Sequence, residues 1–152
     1  MTSKIPDPRT APELFESILT RRVSAFIVDS IIIFAIVFIL TLVLFILGLV
    51  SFGLTWLSIP FLLSFAVLAY YASTLGSNKR ATIGMKIFDV VLVPTKGLPL
   101  DGYKVLIHPI IFWITIWAVA PLLFIGLFTQ RRQLIHDYIT STMMVRKSAM
   151  QA

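Results

Sequence analysis

Two long stretches of this chain carry no formal charge, Ser30 through Asn78 and Val105 through Gln130. One membrane-crossing helix needs about 20 apolar residues. The first stretch therefore predicts two spans, at 23–50 and 54–75, with Gly48, Ser51 and Gly53 making the turn between them. Pro60 falls near the start of the second span, where its ring costs little. Tyr70 and Tyr71 close that span and read as aromatic anchors at headgroup level. The second stretch, 105–130, holds at most one crossing. Pro109 and Pro121 interrupt it, so it predicts either a third span or a re-entrant pair of half-helices, and we favour re-entry.

The flanks differ in pattern. Residues 1–10 form a polar tail, after which Thr10-Ala11-Pro12-Glu13 reads as a capping box opening an interfacial helix over 11–22. Leu14, Phe15, Ile18 and Leu19 share one face of that helix. Across 76–104, β-branched residues cluster between Ile87 and Val93, and Pro94-Thr95-Lys96-Gly97 is a turn signal. A short interfacial β-hairpin or extended loop is expected there, rather than a helix. Residues 131–152 make a polar C-terminal motif and tail. The expected fold is an all-α membrane protein of one domain, 1–152.

Composition agrees: 58% of residues are hydrophobic, 13% charged, and the mean hydropathy is +0.94, outside the range of soluble domains. The first apolar run is too long for a cleavable signal segment. With no cysteine, thiolate metal sites, iron–sulfur clusters and disulfides are excluded. The net charge of +6 sits at the edges of apolar segments instead of on one basic face, which suits anionic lipid headgroups and not nucleic acid.

The positions of Lys and Arg also orient the chain. The N-terminal arm has Lys4, Arg9, Arg21 and Arg22, the turn at 48–53 has none, and the middle loop has Lys79, Arg80, Lys86, Lys96 and Lys104. The N-terminus and middle loop are expected on the cytoplasmic side. Arg131, Arg132, Arg146 and Lys147 ask for the same side, which a complete third span would forbid.

Few residues can carry chemistry. Asp29 lies one heptad past Arg22, about 10 Å along a helix and on nearly the same face. A carboxylate at that depth is either a cation or proton site or half of an Arg–Asp clasp that locks helices together. His136-Asp137 sets an imidazole beside a carboxylate, although neighbours in a helix need not touch. A zinc site would need His108 and His136 with carboxylates gathered from far apart, and no metal is expected. Thr140, Ser141 and Thr142 look like a helix end, Lys86 has no phosphate-loop glycines around it, and no activated nucleophile is evident. Neither a cofactor nor enzyme activity is expected.

Arg22-x-x-Ala25-x-x-x-Asp29, "ATIGMKIFDVVLV" and "RRQLIHDYITSTMMV" resemble, in that order, three signatures of the RDD family of small bacterial integral membrane proteins. Arg22 and Asp29 match its arginine and first aspartate, with Ser30 where a second aspartate is usual. Gly84 and Lys86 match the glycine and basic residue of the middle motif. Arg132, Gln133, His136, Asp137 and Thr142 match the last, in which Ser141 replaces a glycine and leaves a tight turn in question. The resemblance implies a protein of the bacterial cytoplasmic membrane with a transport-related role, sodium/proton exchange being attributed to some members. A monovalent cation or proton would then be the ligand, Arg22, Asp29, Arg132, His136 and Asp137 the polar site, and a homo-oligomer the working form. The alternative is a non-transporting accessory or assembly subunit, bound to a membrane partner, in which the same residues form a structural network.

Overall fold

The computed structural model describes residues 7–77, 79–95, 102–119 and 128–150. The tail before Asp7, the end of the expected Pro94–Gly97 turn and the 120–127 part of the apolar segment, Pro121 included, lie outside the described residues.

Helix α1 runs without a break from Ile18 to Val50, about 50 Å at 1.5 Å per residue. It opens after Ser17, whose left-handed backbone (φ 53°) turns the chain out of a 3-10 turn at Pro12–Phe15. At its far end Gly48 leaves a notch for the Trp56 indole, since a Cβ there would lie 1.7 Å from Trp56 Nε1. Trp56 also stacks on Phe45 at 5.8 Å. A 3-10 turn at Leu54–Ser58 leads into α2, Ile59–Leu75, and Pro60 sits in its first turn, where no helical N–H is lost.

Both helical hairpin arms, Pro12–Val50 and Leu54–Leu75, are long and apolar enough to cross a membrane. Val23, Ile31, Phe34, Phe38, Ile39 and Leu42 stand exposed along α1. Apolar side chains in that number facing outward on a folded chain are stable in lipid and not in water.

At the Ile18 end of α1 the chain builds a small polar-capped layer. Thr82 caps α3, Ile83–Ile87, through its hydroxyl and Met85 N–H. Strand β1, Val90–Pro94, follows and pairs antiparallel with β2, Thr142–Arg146, in the register Leu92 with Met144. Helix α4 covers Gly102–Val119 with Pro109 inside it, and α5 covers Ile135–Thr140. Two apolar clusters join these pieces. Ile18, Ala25 and Ile33 of α1 pack with Tyr71, Leu75, Met85 and Leu92, while Leu14 and Phe15 pack on Met143 and Val145. Leu92, Met143 and Val145 are fully out of solvent, each contributing about 2 kcal/mol of burial.

Five expectations change here. The extended segment after α2 is not a hairpin of its own: β1 finds its partner in the C-terminal segment, because Met143 and Val145 present the apolar face that β1 needs. A two-stranded sheet therefore joins the helices, so the fold is mostly helical rather than all-α. A five-residue helix precedes β1, since Thr82 supplies a cap that the apolar pattern alone does not reveal. The capping box at Thr10 does not form: the Thr10 hydroxyl turns back to the Asp7 carbonyl, and the expected interfacial helix divides into a 3-10 turn whose apolar face lies on β2 and, from Ile18, the first turn of α1. Tyr70 and Tyr71 are buried, at 8% and 7% exposure, against α1 and not among headgroups.

Candidate functional site

Two buried carboxylates organise the end of the molecule where α1 begins. Asp29 is held by three donors from outside its own helix. Tyr70 Oη donates to Oδ1 at 2.5 Å, Gly84 N–H to Oδ1 at 2.8 Å, and Thr82 Oγ1 to Oδ2 at 2.5 Å. Gly84 permits this contact, because any Cβ there would lie 2.1 Å from the Ala25 carbonyl oxygen. The middle motif glycine is thus the point where α3 touches α1.

Asp137 is held by charge. Arg22 makes a bidentate bridge to it, Nη1 to Oδ2 at 2.6 Å and Nη2 to Oδ1 at 3.1 Å, the strongest geometry available to such a pair. Leu134 N–H adds a bond to Oδ2 at 2.9 Å, which ties the start of α5 to its own third residue. Arg22 also donates to the Arg132 carbonyl at 3.2 Å and approaches His136 Nε2 at 3.3 Å. Burial by itself would raise the Asp137 pKa. The Arg22 guanidinium outweighs it and holds the carboxyl below its usual range. Burial drives His136 down to about 3 even with Asp137 beside it, so its ring is neutral at physiological pH.

His108, from α4, completes the cluster. Its ring lies edge-on to His136 with centroids 4.8 Å apart, and its Nε2 is 3.8 Å from Asp137 Oδ1. Its Nδ1 faces the hydroxyls of Thr140 and Thr142. Gln133 anchors the motif by donating from Nε2 to the Thr142 carbonyl at 2.8 Å. A cavity of about 200 Å³ opens beside Asp29, with Arg22, Asp29, Thr82, His108 and His136 among otherwise mostly apolar walls.

Of the residues singled out in the sequence, Arg22, His136, Asp137, Gln133 and Thr142 meet in one network, to which Arg132 contributes its backbone carbonyl. Asp29 and Gly84 meet in the other. Lys86 is exposed on α3. The arginine of the first motif bridges Asp137 and does not form the clasp with Asp29 that their spacing allowed. Tyr70, Thr82 and His108 are the partners that sequence reasoning did not assign. For His108 a signal was present, as it is one of only two histidines and stands in an apolar segment beside Pro109. The separation in sequence that argued against a metal cluster is closed by the fold: His108, His136 and Asp137 each offer a ligand atom, all within 4.8 Å of one another. The tight turn before Thr142 exists, with Ser141 itself in the left-handed region at φ 53°.

The sequence model of the RDD family matches residues 17–141. The chain belongs to the RDD family. No curated protein and no solved structure matches it. The three RDD motifs thus become three parts of one assembly: Arg22 and Asp29 on α1, Gly84 under Asp29, and the His136-Asp137 segment closing over Arg22.

Proposed function

We propose that this RDD protein is the protomer of a membrane transporter that exchanges a cation for protons. The observation that carries this reading is that Asp29, Arg22, His108 and His136 border the same cavity, with Asp137 behind them on Arg22. Buried ionisable groups within a membrane protein are expensive and mark the path of a charged solute. The positive residues of the N-terminal arm, middle loop and tail support a cavity that opens at the cytoplasmic face of a bacterial inner membrane. The Arg22–Asp137 bridge supports a common side for the first and last motifs, and with it a re-entrant course for 105–130. Two spanning helices enclose too little to form a complete path, and the exposed apolar side of α1 is where further copies pack.

The test is cation-dependent proton movement in inverted vesicles carrying the full chain. Replacing Asp29 by Asn should abolish exchange while leaving the amount of protein in the membrane unchanged. Exchange that persists in Asp29→Asn would remove this reading. One observation favours a second one: Asp29 is engaged by three donors, as a structural clasp would be. As an accessory subunit, the chain would show no ion flux at all, and Asp29→Asn would alter only its association with a membrane partner.

A further inference from the structure

The hydrogen bonds around the histidines allow an assignment in which each ring presents a bare Nε2. The Thr140 hydroxyl directs its proton to the His136 carbonyl at 2.7 Å, so toward His108 Nδ1, 3.2 Å away, it can only accept. Thr142 Oγ1 lies 2.8 Å from Thr140 Oγ1 and 3.3 Å from the same Nδ1. With the Thr142 hydroxyl donating to Thr140, His108 carries its proton on Nδ1 and turns a bare Nε2 toward Asp137. His136 is fixed from the opposite side. A guanidinium only donates, so the Nε2 facing Arg22 is bare, and Nδ1 carries the proton, buried without a partner among the described residues.

We propose that His108 Nε2, His136 Nε2 and Asp137 Oδ1 form a site for a divalent transition-metal ion of the zinc class, and that Arg22 is the tethered cation such an ion displaces. The His136–Asp137 and His108–Asp137 donor separations are 3.4 Å and 3.8 Å. Donors about 2.1 Å from a tetrahedral centre lie ~3.4 Å apart, so small side-chain shifts close the set. Two imidazoles and one carboxylate select zinc, cobalt or nickel over sodium or calcium, which prefer oxygen. The threonine hydroxyls behind His108 act as the outer contacts that orient metal-bound imidazoles.

Arg22 Nη2 now sits 3.1 Å from Asp137 Oδ1 and 3.3 Å from His136 Nε2, where it competes directly with any bound ion. The cavity beside it, bordered by both Arg22 and His136, has room for a displaced guanidinium. The site goes beyond the transport reading and does not depend on it: binding is read in micelles and flux in vesicles, so either can fail alone.

The distinguishing prediction is that Arg22 and the histidines have opposite effects. The full chain in detergent is titrated with Co²⁺ and followed by its visible absorption band, with monodisperse elution and helical circular dichroism as controls for folding. Arg22→Gln should bind Co²⁺ on the order of tenfold or more tighter than the unaltered chain, because a neighbouring positive charge is gone. Adding His136→Gln or His108→Gln to that variant should erase the band. A folded Arg22→Gln chain with no tetrahedral Co²⁺ band, or one whose binding survives loss of His136, overturns the site. Equal affinity with and without the arginine overturns the displacement. If Arg22→Gln does not fold, the unaltered chain and His136→Gln are titrated at higher Co²⁺ instead. A tetrahedral band in the unaltered chain that His136→Gln removes supports the site, and no band in the unaltered chain, or one that survives in His136→Gln, overturns it.

Discussion

Asp29 and Asp137 are both carboxylates out of solvent at the same end of α1, and they are kept there in different ways. Asp29 receives three neutral donors, two hydroxyls and one backbone N–H. Asp137 receives a full positive charge from Arg22 and one backbone N–H. Neutral donors satisfy lone pairs without cancelling charge, whereas Arg22 does both. The Asp29 side is therefore a geometric fit that depends on the approach of α3, and the Asp137 side is an electrostatic lock that depends on one residue.

The largest effect should come from removing that residue's charge. Arg22→Met leaves Asp137 buried and uncompensated, and should cost about 3–5 kcal/mol, read as a fall in denaturation midpoint in detergent. Acid should attack the same side. His136 has its pKa depressed in the folded state to about 3, so unfolding takes up a proton below its ordinary value near 6.5. Its contribution is complete above pH 6.5 and is lost as pH falls toward 3. The Asp137 contribution, from a carboxyl also held low, goes as pH falls through its own folded value. A melting temperature that stays flat from neutral pH down to 4 would contradict this assignment.

On the Asp29 side, Gly84→Ala should cost about 2–3 kcal/mol, because α3 must lift from the Ala25 carbonyl and overpacking of this kind is not absorbed. Asp29→Asn should cost less, about 1–2 kcal/mol, since one of three donors is left facing an amide N–H. If Asp29→Asn proved more damaging than Arg22→Met, the contrast between the two sides would be reversed. The smallest change is a gain. Ser141→Gly relieves a left-handed backbone and should stabilise the chain by about 0.5–1 kcal/mol, visible as a small rise in melting temperature.

What the sequence revealed follows the same division. The spans were legible because uncharged runs of such length have one interpretation. Their turn was legible too, as glycines and a serine fall between apolar blocks. Arg22, Asp29, His136 and Asp137 stood out because charge is scarce in an oily chain. Their pairing did not, because the one-heptad spacing of Arg22 and Asp29 suggested contact within a helix while the actual partner lies beyond two spans. Tyr70 read as a lipid anchor because its hydroxyl has the same meaning in sequence whether it faces water or a buried carboxylate. The β1–β2 pair was hidden for a related reason. Local turn chemistry at Pro94 proposes a hairpin, but only the fold brings Thr142–Arg146 alongside.

That strand pairing has a consequence for biogenesis. Val90 pairs with Arg146 and Pro94 with Thr142, so the layer over Arg22 cannot close until the second strand has left the ribosome. Until then Arg22 lacks its carboxylate, and an unpaired guanidinium belongs at a headgroup or aqueous surface. Formation of the network is consequently a late step of assembly, because its two halves are the first and last parts of the layer to be made.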